Sequence, residues 1–202
     1  MSPASRVTTA LRLVSRAEFL TPSQRPYAEE DRPLSIGAGQ TTSQPSLIAW
    51  MLERLQLDAR SRVLEVGTGC GYQTALLSLL AGEVCSVDIV PSLVEQARAT
   101  LERLGHRNVH LRCADGYAGW PEAAPFDAII VAAGAPAVPP PLLEQLAPGG
   151  RLIIPLGRGD DMHLALVTKS VAGEVNVEKS LAVRFVPFTG AFGGAAQASA
   201  RQ

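Results

Sequence analysis

Cysteine is scarce and unpatterned, with three residues, Cys70, Cys85 and Cys113, and no CxxC spacing. An odd, scattered set excludes a disulfide framework and a zinc ribbon, and reads as reduced, core-filling thiols of a cytoplasmic protein. Histidine is as sparse: His106, His110 and His163 form no HExxH pattern and have no cysteine companion, so no metal is expected. Long apolar runs are missing too. Gly and Pro interrupt every candidate before the ~18–20 residues a bilayer requires, and no membrane association is predicted. Neither sign of charge dominates: 18 Lys and Arg against 19 Asp and Glu leave a formal charge of −1, which gives a phosphate backbone no basic field and excludes nucleic acid as an expected partner. No secretory signal is expected from this start. Arg6, Arg12 and Arg16 precede the first acid, Glu18, in the manner of a transit peptide. Val7, Leu11 and Val14 nonetheless follow helical spacing and predict a short helix packed on the domain.

What is present is enough apolar material for one core: 202 residues, 47% of them hydrophobic. A chain of this size buries well over half of its unfolded surface without a metal or disulfide staple. From Pro45 the residues Leu47, Ile48, Met51, Leu52 and Leu55 lie on one stripe of a helix that ends by Asp58 to Ser61. A regular alternation follows: an apolar run at 63–66, a helix over about 72–80, a run at 84–87, and a helix over about 91–104 stopped by Gly105. Further runs at 109–113, 128–132 and 151–155, with a helix at 141–146, complete a βα pattern. Strands alternating with helices require crossover connections, hence a doubly wound α/β fold with a mostly parallel sheet and helices on both faces. After Gly157 the helices stop. "LALVT" and "EVNVEKSLAVRFVPF", separated by "VAGE", predict an antiparallel pair closing one edge. Residues 21–36 read as an irregular connection, and the small-residue stretch 191–202 as a mobile tail. The whole is one domain: 1–45 an N-terminal helix and substrate-side segment, 46–157 a cofactor-binding core, 158–190 the C-terminal strands.

The chemistry concentrates in "RVLEVGTGCGYQ", 62–73. Gly67, Gly69 and Gly71 directly follow a strand and open a helix, where the lack of Cβ atoms lets a ligand approach the backbone. A triphosphate loop needs GxxxxGK[ST], and the dinucleotide signature needs a glycine where Tyr72 stands, so both are excluded. What remains is GxGxG with Thr68 inside it and an acid, Glu65, before it. Asp88 ends the second strand about twenty residues on, where a carboxylate accepts from both hydroxyls of a ribose or serves as a cap or turn residue before Pro91, with Ile89 beside it. Asp115, followed by Gly116 after the third strand, is placed for an adenine amino group or for an Asp-Gly turn.

This order of strand, glycine turn and two acids resembles S-adenosylmethionine-dependent methyltransferases. "SIGAGQTTSQP", "LEVGTGCGYQTALLS", "DGYAGWPEAAPFDAIIVAAGAP", "PGGRLIIPLG" and "VRFVPFTG" resemble, in order and spacing over roughly residues 27–190, the protein-L-isoaspartate O-methyltransferases. The resemblance implies S-adenosylmethionine as donor, S-adenosylhomocysteine as product, and the free carboxylate of isoaspartyl residues in damaged proteins or peptides as acceptor. It implies Ser43 beside the reacting groups, with Gln40, Thr41 and Thr42 on the same segment, and peptide contacts from Arg184, Phe185 and Val186. Ser43, two residues before Pro45, is equally an N-cap for its helix, and "VRFVPF" equally an edge strand. Thr42 stands where the family usually has isoleucine, and the lead-in to "GQTTS" is short. A monomer is expected. A methyltransferase for another carboxylate and a noncatalytic S-adenosylmethionine-binding module are the alternative readings.

Overall fold

The computed structural model describes residues 2–190. The expected mobile tail lies outside the described residues. Helix α1 (Pro3–Leu13) is followed by two short 3₁₀ turns, Arg16–Phe19 and Arg25–Tyr27, and by a small antiparallel hairpin of β1 (Leu34–Gly37) and β2 (Gln40–Thr42). The stretch read as irregular is thus a strap of turns that ends in a strand. Then come α2 (Pro45–Leu55), β3 (Arg62–Val66), α3 (Tyr72–Leu80), β4 (Glu83–Asp88), α4 (Pro91–Arg103), β5 (Val109–Cys113), β6 (Phe126–Val131) and α5 (Pro140–Gln145). Strands β7 (Leu146–Arg158), β8 (Asp161–Lys169) and β9 (Val175–Ala182) close the order.

Seven strands form one sheet in the order β5-β4-β3-β6-β7-β8-β9. Strands β3 to β7 pair in parallel, and β8 and β9 add the antiparallel edge. The predicted doubly wound sheet forms with the predicted edge.

Alternation within each strand divides the core. Val63, Val84, Ala128, Ile130 and Ile153 face α1, α2 and α3, where Val7, Ala10, Ile48, Met51, Leu52, Leu76 and Leu80 are buried against them. Leu64, Val87, Ile129, Val131, Leu152 and Ile154 face the other way, onto Leu142 of α5 and Phe188. Each fully buried aliphatic side chain contributes about 1.5–3 kcal/mol, so the two layers fix which way the sheet faces.

β3 has β4 on one side and β6 on the other, while the chain runs out through β4 and β5 before returning. Reversal of this kind opens a crevice at the carboxyl ends of the strands, and in open α/β sheets ligands bind there.

Candidate active site

Two cavities occupy that crevice. The larger, of about 620 Å³, is bordered by the "TTSQ" segment, the glycine turn and Val183 to Val186. The smaller, of about 90 Å³, is bordered by Asp88, Ile89, Val90, Gly116 and Phe188. Ile36, Thr41, Gly67, Gly69, Ala132 and Val186 line both, so the compartments meet at the glycine turn. Gly67 (φ 99°) and Gly69 (φ 53°) lie in the left-handed region that side chains disfavour, and a Cβ on either would come within 3.1 Å of Ala132 or Ile36. Both positions therefore favour glycine for conformation, and Gly67 also sits tightly against Ala132. Gly71 differs. It borders neither cavity, and a Cβ there would meet Ala97 and Leu101 of α4 at 3.1 and 3.3 Å. The third glycine serves helix packing and not ligand approach.

The smaller cavity has a polar and an apolar wall. Asp88 accepts from the backbone N–H of Gly69 (2.8 Å) through Oδ2 and of Val90 (2.9 Å) through Oδ1. These two bonds orient the carboxylate and leave each oxygen a further lone pair. Ile89 is 40% exposed, unusual for a large aliphatic residue, and faces this cavity with Phe188. Gly116 also lines it and could carry no side chain, since a Cβ would lie 2.3 Å from Val66 Cγ1. Asp115 does not line either cavity. It caps the 3₁₀ turn Gly116–Ala118 by accepting from Tyr117 N–H at 2.9 Å, as an Asp-Gly turn residue does.

In the larger cavity Thr41, Thr42 and Ser43 form one wall and Arg184, Phe185 and Val186 another, while Gln40 borders only the smaller one. Ser43 does not cap α2. The cap position is Gln44, whose side chain makes no capping bond. Asp31, reaching in from the strap, accepts instead from Ser46 N–H (2.9 Å) and Ser46 Oγ (2.7 Å), and these bonds hold its carboxyl below the usual range. Nor is "VRFVPF" an edge strand. β9 ends at Ala182, and the chain then crosses the carboxyl ends of the sheet, with Gly134 N–H donating to Val186 O and Phe188 N–H to Gly134 O, both at 2.8 Å. Arg184 is largely exposed and pairs with Asp160 at 3.0 Å, the second charged residue of the cavity wall.

Glu65 stands behind the turn, fully buried and bordering neither cavity. Its carboxylate accepts from Gln73 Nε2 (2.9 Å), Thr74 Oγ1 (2.5 Å) and Ser86 Oγ (2.6 Å), while Thr68, which lines the larger cavity, shares a 2.6 Å bond with Ser86. The acid ties β3, β4 and α3 together beneath the glycine turn. Burial pushes its pKa up to about 7 against those three donors.

Several wall residues carry no functional signal in the sequence. Ala132 directly follows β6, and its apolar run predicts only the strand. The expectation of three core-filling thiols holds fully for Cys85 alone: Cys70 packs against the core but also lines the larger cavity, its thiol pushed up by burial, and Cys113 is exposed. Tyr72 lines the same wall.

A model of the family described as protein-L-isoaspartate(D-aspartate) O-methyltransferase matches residues 2–193. The chain belongs to that family. Relatives include a protein-L-isoaspartate O-methyltransferase of Anaeromyxobacter dehalogenans (strain 2CP-C), 55% identical over 186 residues, which are 91% of this chain and 89% of that one. Another, protein-L-isoaspartate O-methyltransferase 2 of Nitrosococcus oceani, is 50% identical over 92% of this chain and 84% of its own length. Among solved structures, a protein-L-isoaspartate O-methyltransferase superposes with a TM-score of 0.87 at 34% identity; 97% of this chain is covered, and it spans 65% of that longer protein. A Plasmodium falciparum structure described as a beta-aspartate methyltransferase, in complex with S-adenosyl-L-homocysteine, superposes with a TM-score of 0.80 at 27% identity over 91% of this chain and 90% of that one.

Proposed function

We propose that this protein transfers the methyl group of S-adenosylmethionine to the free carboxylate of L-isoaspartyl residues in damaged proteins or peptides. The observation that carries the reading is the meeting of two compartments at Gly67 and Gly69, with an oriented carboxylate, Asp88, in one and Ser43 in the other. Asp88, Ile89, Gly116 and Phe188 fit an adenosyl group: a pair of acceptor oxygens for ribose hydroxyls and an apolar slot for a flat base. The bound donor supplies an activated methyl on a sulfonium.

The acceptor carboxylate is ionised at neutral pH, so its attack needs no general base. A carboxylate and a cation become a neutral ester and a neutral thioether, so charge disappears during transfer and a water-poor site favours it. Leu47, Ile48, Phe185 and Val186 give the larger cavity apolar walls of that kind. Ser43 orients the acceptor oxygen, and correct alignment of reactants contributes up to ~7–11 kcal/mol. Arg184, Phe185 and Val186 contact the peptide. Residues 46–157 are the donor-binding core of one domain, 1–45 its substrate-side segment, and 158–190 the C-terminal strands with a following segment that borders both cavities. Three free cysteines support a cytoplasmic location.

The test is a methyl-transfer assay on a peptide with one isoaspartate and on its aspartyl twin. Transfer is expected only to the first, and equal or absent transfer to both overturns the substrate assignment. Ser43→Ala should slow transfer about tenfold or more while S-adenosylhomocysteine affinity stays within about twofold. Undiminished turnover would remove Ser43 from the reaction.

A further inference from the structure

We infer that Arg16 is a positioning residue for methyl transfer, fixing Ser43 at the acceptor cavity through the serine's backbone carbonyl. The inference rests on the acceptor role proposed for Ser43. Arg16 sits in the 3₁₀ turn after α1 and is 3% exposed. Its Nη1 donates to Ala28 O (3.4 Å) and Glu30 O (3.0 Å), and its Nη2 donates to Arg32 O and Ser43 O (both 3.0 Å). Three of these acceptors belong to the strap and the fourth to the cavity wall, so one cation joins the two. Asp31 on the same strap holds Ser46 from the other side. The guanidinium carbon also lies 6.0 Å from the ring centroid of Tyr72, another cavity residue.

A buried cation is a costly way to fill space, and here Nε is left without a partner among the described residues. What the residue provides is direction. A planar fork fixes four bonds at set angles, which an ammonium group with three rotating donors cannot reproduce. Transfer to an oxygen near Ser43 is sensitive to that direction, because a misplacement of ~1 Å costs about 100-fold in rate.

The experiment is a double-mutant cycle of Arg16→Lys and Ser43→Ala on the full chain, with Arg16→Met as a second replacement, read by kcat and KM for an isoaspartyl peptide, calorimetry with S-adenosylhomocysteine, and amide exchange. Expected is a fall in kcat of about 10- to 100-fold in each Arg16 variant, cofactor affinity within about twofold of wild type, and faster exchange at residues 42–46 with 67–71 and 88–90 unchanged. In the Ser43→Ala background Arg16→Lys should cost less than about threefold more, since the residue it acts through has already lost its hydroxyl. Fully additive losses, unchanged kcat, unchanged exchange at 42–46, or loss of cofactor affinity in both Arg16 variants would each overturn the assignment. Absence of transfer by the wild-type protein itself would count against the proposed function, and the exchange pattern would still judge the clamp.

Discussion

At Glu65 burial and hydrogen bonding pull in opposite directions. Complete burial favours the neutral acid, three donors favour the anion, and burial prevails, with a pKa of about 7 against an ordinary 4.5. Between those values the folded protein keeps a proton that the unfolded chain has released, so stability is highest below the lower value and falls as pH rises through the upper one, by up to about 3 kcal/mol. Glu65→Gln keeps the volume and one acceptor and removes the titration. Melting temperatures from about pH 5 to about pH 8 should therefore decline more steeply for the wild type than for the variant, and parallel slopes would clear Glu65 of the effect. Asp88 stands at the cavity wall, its carboxylate oriented by two backbone N–H groups. Hydrogen bonds to a charged group contribute about 1.5–3 kcal/mol each, so Asp88→Ala is expected to weaken S-adenosylhomocysteine binding by about 10- to 100-fold in calorimetry. An unchanged Kd would place the ribose elsewhere.

Among the elements, those set by local periodicity are the ones a reader of the chain finds. The run of β3, α3, β4, α4 and β5 follows from alternating apolar stretches and helical stripes, with Gly105 (φ 83°) ending α4 as expected. The strap between α1 and α2 is not legible in this way. Its turns and the hairpin β1–β2 are too short to carry a period, and what holds them is Arg16 donating across 12 to 27 residues of sequence. For the same reason the site divides. Gly67, Gly69 and Asp88 announce themselves by spacing after a strand, whereas Arg16 looks like one more basic residue of an amphipathic start. The sequence pattern also overran β9, because Val183 to Phe188 alternates like a strand but spends its backbone bonds on Met162 and Gly134 while crossing the sheet ends. The cap of α2 likewise came from another element. Asp31→Ala removes the acceptor for Ser46 N–H and should cost about 1 kcal/mol, a fall of roughly 2–4 °C in melting temperature for a protein of this size. Because the carboxyl is held below its usual range, that difference should fade as the pH drops into the carboxylate range, and a cost unchanged in acid would show that Asp31 acts by something other than its charge.

Across the whole molecule, the proposed donor side comes from the parallel core with Phe188 added from the C-terminal segment, and the proposed acceptor side comes mostly from the two ends of the chain. Ser43 arrives from the N-terminal third, while Phe185 and Val186 come from the segment after β9, and both meet the glycine turn at the switch point of the sheet. A ligand seated at that meeting point touches parts of the chain far apart in sequence, so its binding should be felt by the cooperative unit as a whole. Such a ligand stabilises the folded state by mass action, by about 2.7 kcal/mol at a concentration of 100 times its Kd. For a chain of this length that corresponds to a rise of roughly 5–10 °C in melting temperature. S-adenosylhomocysteine should produce this rise and NADH should not, because Tyr72 occupies the place of the third dinucleotide glycine and is buried against Phe19 at a ring distance of 5.9 Å. In Asp88→Ala the rise should shrink with the weakened affinity, whereas in Ser43→Ala it should persist, since that residue belongs to the other compartment. A shift abolished equally by both substitutions would mean that the two cavities act as one and that donor and acceptor are not separated by the glycine turn.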